Sequence, residues 1–203
     1  MVKIFGHPGS TCTRKVLMTL SETKTPYELV KVELAAGDQK KPAHMSRQPF
    51  GQIPVIDDEG FSFYESRAIC RYVNERYQGN LVPGDIKGRA LMEQWISVET
   101  SNFSTFAMKF IYHDVFKRPQ EPAVLEAAGK SVETALVVMD ARLAGSPFFA
   151  GPQFSLADVC FMPYFEYAMV TPLKATIAKF PAASAWWSKV SERPTWQRVA
   201  GRT

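Results

Sequence analysis

The hydrophobic period of the chain changes at residues 79–86, GNLVPGDI, a stretch with two glycines and a proline that reads as a linker. Before it, short strand-like runs alternate with helical stretches. Beyond it, almost everything is helical, with apolar residues three and four positions apart. Such a chain is neither a single sheet nor a uniform bundle. It predicts an α/β domain over 1–78, a linker over 79–86 and an all-helical domain over 87–203.

Within the first domain the order of elements is legible. Residues 2–5 read as a strand. Residues 11–22 read as a helix with Val16, Leu17 and Leu20 on one face and Ser10 at the N-cap. Residues 26–32 alternate as a half-buried strand does. Residues 37–45 are polar and turn-rich. Two apolar runs at 53–56 and 61–64, separated by Asp57-Asp58-Glu59-Gly60, signal a hairpin. A helix follows, with Ile69, Tyr72 and Val73 on one face, and stops before Gly79. The first three elements make a parallel strand pair through a right-handed crossover. The hairpin adds antiparallel strands, which gives a thioredoxin-like arrangement.

In the second domain, residues 125–143 space Leu125, Ala128, Val132, Ala135, Met139 and Leu143 as a helix face, ending before Gly145. Ser155 and Asp158 form a capping-box pair flanked by the apolar staple of Phe154 and Val159. Pro163 is expected to interrupt or kink the helix that follows. The 203 residues suffice for a sizeable core, and a net charge of +4 without a basic run argues against a nucleic-acid surface. The most apolar later stretch, 157–170, carries Asp158 and Glu166 and is too short to span a bilayer. No long apolar segment opens the chain. Cys12, Cys70 and Cys160 are odd in number and far apart, which speaks against a disulfide framework or a metal site and for a reducing, cytoplasmic compartment.

Three groups of residues carry chemistry. Ser10, Thr11 and Cys12 stand at the start of a helix, where unpaired amides and the positive dipole end favour an anion, including a thiolate. Ser10 fits the role of hydrogen-bond donor to that thiolate, as it fits the plainer role of N-cap. As a nucleophile it lacks a base, since His7, His44 and His113 form no catalytic motif, and His7 before Pro8 reads as a turn residue. Cys12 is the rival, because thiols at helix N-termini are activated. Next, Gln52-Ile53-Pro54 precedes a strand. A cis bond at Pro54 would turn the Ile53 amide and carbonyl outward to pair with an extended peptide. Third, Glu65 and Ser66 open a helix. Glu65 suits an ammonium, and Ser66 suits a carboxylate. Lys40 suits a second carboxylate. A peptide with two carboxylates, one ammonium and one thiol would use all of these groups.

With these residues in view, the sequence resembles a glutathione transferase, most of all the phi class and its bacterial relatives. FGHPGS…TRKVL, PFGQIPV and FYESRAICRYV resemble the first domain of that family, and FSLADVCFMPY the folding motif of the second. The resemblance implies a thioredoxin-like domain followed by a helical domain, assembled as a homodimer. It carries the thiolate-stabilising serine to Ser10 and the cis proline to Pro54, with Gln52 and Ile53 along the glutathione backbone. It carries the γ-glutamyl contacts to Glu65 and Ser66, and the glycyl-carboxylate contacts to Gln39 and Lys40. Many phi members have histidine where this chain has Gln39, and glutamine retains a donor.

The expectation is therefore an enzyme that conjugates glutathione, its co-substrate, to a hydrophobic electrophile, with no cofactor or metal, and with peroxide reduction through the same thiolate in some relatives. Thr11 and Cys12 would contribute backbone amides or pocket wall. Phe103, Phe106 and Phe110, three and four apart, fit an electrophile pocket as well as they fit a helix-core stripe. Two alternatives stand beside this one. One is a cysteine-type thiol transferase using Cys12. The other is a non-enzymatic binding or scaffold module of the same fold.

Overall fold

Four strands, β1 (Val2–Gly6), β2 (Tyr27–Lys31), β3 (Val55–Asp58) and β4 (Phe61–Tyr64), form one sheet in the order β2-β1-β3-β4. The structure, a computed structural model, describes residues 1–202. β1 and β2 run parallel, with Ile4 opposite Leu29. The β1–β3 and β3–β4 pairs are antiparallel, with Ile4 opposite Ile56 and Ile56 opposite Phe63. Helix α1 (Thr11–Glu22) makes the crossover from β1 to β2. A single 3-10 turn (Asp38–Lys40) and the short helix α2 (Pro42–Met45) fill the turn-rich stretch, and α3 (Ser66–Arg76) follows the hairpin. Ile4, Val55 and Ile56 from the sheet, Val16 and Leu20 from α1, and Ile69 and Val73 from α3 are fully buried together. Thioredoxin-like topology is thus present, and it leaves the loops after β1 and before β3 and the start of α3 to build a site.

The second unit, Leu81–Arg193, is all helical. Asp85 caps α4 (Ile86–Val98) by accepting the amides of Lys87 and Gly88 at 3.1 and 2.9 Å. The chain then passes through a π-helical turn (Glu99–Ser104), α5 (Thr105–Phe110) and a second π-helical turn (Ile111–Val115), so that residues 86–115 are one helical run. The wide turns have no signal in a 3.6-residue pattern. Helices α6 (Pro122–Ala144), α7 (Leu156–Ala168), α8 (Leu173–Ile177) and α9 (Pro181–Ser191) complete the unit. α7 continues unbroken through Pro163 and is buried on nearly every face.

The chain divides between Asn80 and Leu81, inside the 79–86 stretch, but its last residues do not stay with the second unit. The last helix, α10 (Pro194–Ala200), packs on α1 and belongs with Met1–Asn80 rather than with the helical unit. Trp196 is fully buried there, and Thr195 donates its hydroxyl to Glu22. α1 also buries Thr13, Lys15 and Thr19 besides its apolar stripe: Thr13 lies against Gly6 of β1, and Lys15 and Thr19 lie near Cys70 of α3. A terminal helix that returns to an earlier domain leaves no local trace, because its partner lies far away in sequence.

The core of the helical unit is aromatic. Phe103 stacks on Phe165 at 5.2 Å and lies 5.6 Å from Phe161, and Phe149 stacks on Phe161 at 4.3 Å. Phe103 is fully buried and Phe110 is buried too, so neither lines an accessible pocket. The core-stripe explanation of their spacing is the right one for both.

Asp158 is the polar centre of this core. Its carboxylate accepts the Ser155 amide at 2.9 Å, the Ser155 hydroxyl at 3.0 Å, the Phe149 amide at 3.2 Å and Trp186 Nε1 at 2.9 Å. One side chain thereby caps α7, anchors the 148–151 turn and orients α9. Removing it leaves several buried donors unpaired, each costing about 1–3 kcal/mol. Asp158→Ala is expected to lower stability by more than about 3 kcal/mol in chemical denaturation, whereas Ser155→Ala costs about 1 kcal/mol, the usual value of an N-cap. Equal losses for the two variants would contradict the central role given to Asp158.

Candidate functional site

A site begins where β1 hands over to α1. Ser10 is the N-cap of α1 in extended conformation, with φ −80° and ψ 129°. Its Oγ accepts the Thr13 amide at 3.3 Å. That bond uses a lone pair and leaves the hydroxyl proton available. The amides of Thr11 and Cys12 have no acceptor among the described residues, as the first turn of a helix dictates. The end of α1 therefore presents N–H groups and a positive dipole end beside a donor hydroxyl.

The second component is the loop before β3. The Ile53–Pro54 bond is cis, as expected. The loop is clamped from three sides. His44 Nε2 donates to the Gln52 carbonyl at 2.7 Å, Gln48 Oε1 accepts the Gln52 amide at 3.2 Å, and Lys40 Nζ donates to the Phe50 carbonyl at 2.9 Å. Gly51 sits at φ +62°, and a Cβ there would lie 2.6 Å from Lys40 Nζ, so only glycine lets Lys40 cross at this point. The amide and carbonyl of Ile53 have no partner among the described residues, which leaves them open to an extended ligand. Gln39 Oε1 is buried and accepts no hydrogen bond.

The third component is the start of α3. Glu65 takes φ 78° and ψ 104°, a region that a residue with a Cβ rarely enters. Backbone held there costs about 1–3 kcal/mol and persists only where the surroundings enforce it. The turn puts the exposed Glu65 side chain outside the helix, and Ser66, buried to 3%, at its first position.

Cys12, Gln48, Gln52, Ile53, Pro54, Glu65, Ser66 and Arg67 line one small cavity of about 50 Å³. Six of these were singled out from the sequence. Gln48 and Arg67 were not, and neither was His44. His44 and Gln48 act through the carbonyl and amide of Gln52, contacts that a spacing pattern does not encode. Ser10, Thr11, Gln39 and Lys40 do not line the cavity. The first two form the adjoining helix start, and the last two lie against the loop at Gly51. Of the cysteines, Cys12 is half-buried, whereas Cys160 is buried and burial pushes the Cys70 thiol up to about 11. Cys12 is thus the thiol with access to the site. A second, larger groove of about 460 Å³ lies on the helical unit, lined by Val98, Asn102, Phe106, Ser131, Thr134, Ala135 and Val138. Phe106, of the expected electrophile triplet, lines this groove.

Taken chemically, the first unit offers an anion site with a hydroxyl donor, an open strand edge and a second helix start beside a carboxylate. Known proteins share the sequence pattern and the fold. Residues 1–75 match the model for the glutathione S-transferase N-terminal domain, and residues 102–194 the model for the C-terminal domain. Glutathione S-transferase F11 of Arabidopsis thaliana is 34% identical over 98% of this chain and 97% of its own. The crystal structure of glutathione transferase F2 from Populus trichocarpa superposes with a TM-score of 0.95 at 32% identity, covering 100% of this chain and 98% of that one. A maize glutathione S-transferase I in complex with an atrazine glutathione conjugate superposes at 0.90 with 29% identity, over 98% and 96%. No helix among the described residues is long and apolar enough to cross a membrane. The chain belongs to the glutathione S-transferase family and, within it, goes with the phi-class enzymes.

Proposed function

We propose that this transferase activates glutathione through Ser10 and conjugates it to hydrophobic electrophiles. The observation that carries the reading is the state of the Ser10 hydroxyl: its oxygen is spent on the Thr13 amide and its proton is not. In this reading the thiol of bound glutathione loses its proton to solvent. The thiolate accepts the Ser10 O–H and lies against the open amides of Thr11 and Cys12. The sulfur then attacks an electrophilic carbon, a C–S bond forms, and the leaving group departs with its electron pair. Ile53 pairs with the glutathione backbone beside Gln52 and Pro54, Glu65 takes its ammonium, Ser66 its γ-glutamyl carboxylate, and Gln39 and Lys40 its glycyl carboxylate. The maize neighbour's atrazine conjugate supports an apolar, activated electrophile as the second substrate. With a peroxide as acceptor, the same thiolate would attack one peroxide oxygen and break the O–O bond, giving a glutathione sulfenic acid and an alkoxide that takes a proton to leave as alcohol; a second glutathione thiol would then displace water from the sulfenic acid to form glutathione disulfide.

A second reading has one observation in its favour. Cys12 is half-buried and lines the same cavity, so thiol–disulfide exchange through it is chemically open. The two readings part on the pH–rate profile. Ser10→Ala is expected to lower kcat/KM about 100-fold, roughly 2.7 kcal/mol, and to raise the thiol pKa of bound glutathione with little change in affinity. Cys12→Ser is expected to leave that thiol pKa where it is. A profile in which Cys12→Ser abolishes turnover and Ser10→Ala keeps the wild-type pKa would select the cysteine route.

The reading extends to assembly and location. A homodimer is supported by large apolar side chains left in water, with Phe50 64%, Phe61 56%, Val137 57% and Val138 54% exposed. A cytoplasmic, reducing location is supported by Cys12, Cys70 and Cys160, none of which is in a disulfide among the described residues. Sedimentation at micromolar concentration is expected to give a dimer. A fully active monomer would contradict it.

A further inference from the structure

The turn that leads into Ser10 is held by a histidine in one tautomer. The Gly9 amide donates to His7 Nδ1 at 3.0 Å, and the Ser10 amide donates to the His7 carbonyl at 2.9 Å. A ring nitrogen that accepts carries no proton, so the neutral imidazole bears its proton on Nε2. Nε2 faces Glu33 Oε2 at 3.9 Å. Two contacts tie the same turn to α1. The His7 amide donates to Thr13 Oγ1 at 3.4 Å, and Arg14 Nε donates to the Pro8 carbonyl at 2.8 Å. Pro8 has no amide proton and a fixed φ, so it gives the turn rigidity but no donor of its own. Because the Thr13 amide in turn caps Ser10, His7, Thr13 and Ser10 close a ring of hydrogen bonds.

We propose that His7 is a positioning residue for Ser10: its unprotonated Nδ1 holds the Pro8–Gly9 turn that aims the Ser10 hydroxyl, and protonation of the ring releases that turn. The proposal rests on the reading of Ser10 as the thiolate's donor. The reason is one of donors and acceptors. A protonated imidazole donates from both nitrogens. Nδ1–H would then point at the Gly9 N–H, donor against donor, and the ring or the turn must move. The groups that face this ring and turn are Glu33, beyond the end of β2, and Thr13 and Arg14 on α1. Glu33 favours the charged ring, but Lys31 pairs with it and spends part of that attraction. Arg14 is a cation on the Pro8 carbonyl and disfavours a second charge close by. Thr13 is neutral. His7 is 31% exposed in its side chain, so protons reach it. A protonated ring takes from the Gly9 amide the acceptor that holds the turn. Turnover therefore falls on the acid side for two reasons: the thiolate is protonated, and the turn beneath its donor loosens.

The test compares kcat/KM between about pH 5.5 and 8.5 for the full-length wild type, His7→Asn, His7→Phe and Ser10→Ala, with glutathione and chlorodinitrobenzene as substrates. Asparagine offers an amide oxygen that accepts the Gly9 amide and does not titrate. His7→Asn is expected to keep a near wild-type rate at neutral pH and to show an acid limb with the slope of one ionisation where the wild type shows more. His7→Phe has no acceptor and is expected to lose about 3- to 10-fold in kcat, the worth of one neutral hydrogen bond, with KM for glutathione held. A wild-type acid limb of unit slope, an unchanged limb in His7→Asn, or a wild-type kcat in His7→Phe would overturn the proposal. If Ser10→Ala loses activity while both His7 variants match wild type, His7 alone is wrongly assigned. If Ser10→Ala itself keeps wild-type kcat and thiol pKa, the Ser10 reading fails and the His7 proposal falls with it.

Discussion

The working end of the first unit depends on how closely α1 approaches β1, and that approach is made at Gly6 and Thr13. A Cβ on Gly6 would lie 2.7 Å from Thr13 Oγ1 and 2.8 Å from its Cγ2, closer than real contacts allow. Glycine is required here for space. With the helix drawn in, the Thr13 amide reaches Ser10 Oγ and its hydroxyl oxygen reaches the His7 amide. Any side chain at position 6 would push Thr13 away and carry Ser10 with it. The dipole end of α1 and the donor hydroxyl are thus placed by a packing contact one turn into the helix.

Backbone shape does similar work elsewhere in the site. Gly51 clears the path of Lys40, and Glu65 holds a turn that other residues avoid. The strain at Glu65, about 1–3 kcal/mol, is offset by what α3 buries behind it, where Ile69 and Val73 are inaccessible to water. The result is a site that combines open backbone groups, the Ile53 amide and carbonyl and the first amides of α1, with the Ser10 hydroxyl and the start of α3. Such a site suits a peptide ligand, whose own backbone supplies the complementary groups.

What could be read from the sequence was whatever is local. The N-cap at Ser10, the hairpin around Asp57–Gly60, the helix through Leu125–Leu143 and the Ser155–Asp158 box each follow from short-range rules, and each is present. Non-local features were missed. α10 returns to α1 because Trp196 fits there, and nothing near Trp196 in the sequence says so. Phe103 and Phe110 have a spacing that suits a pocket and a core equally, and only the rings of Phe161 and Phe165 around Phe103 decide its place. Gln48 and His44 clamp the loop through Gln52, a bond pattern that no periodicity reveals. The π-helical turns within residues 86–115 follow from no 3.6-residue rule.

In the proposed reading the start of α1, with Ser10 as donor, holds glutathione as a thiolate. Proton release on binding measures this without any electrophile present. Calorimetric titration of glutathione into the enzyme at neutral pH, in buffers of different ionisation enthalpy, reports the number of protons freed. A free thiol has a pKa of about 8.5 and is almost wholly protonated at pH 7, so full ionisation in the site releases close to one proton per bound glutathione. That value is expected for the wild type, with a clear drop for Ser10→Ala at similar affinity. Binding with no proton release in the wild type would contradict the reading.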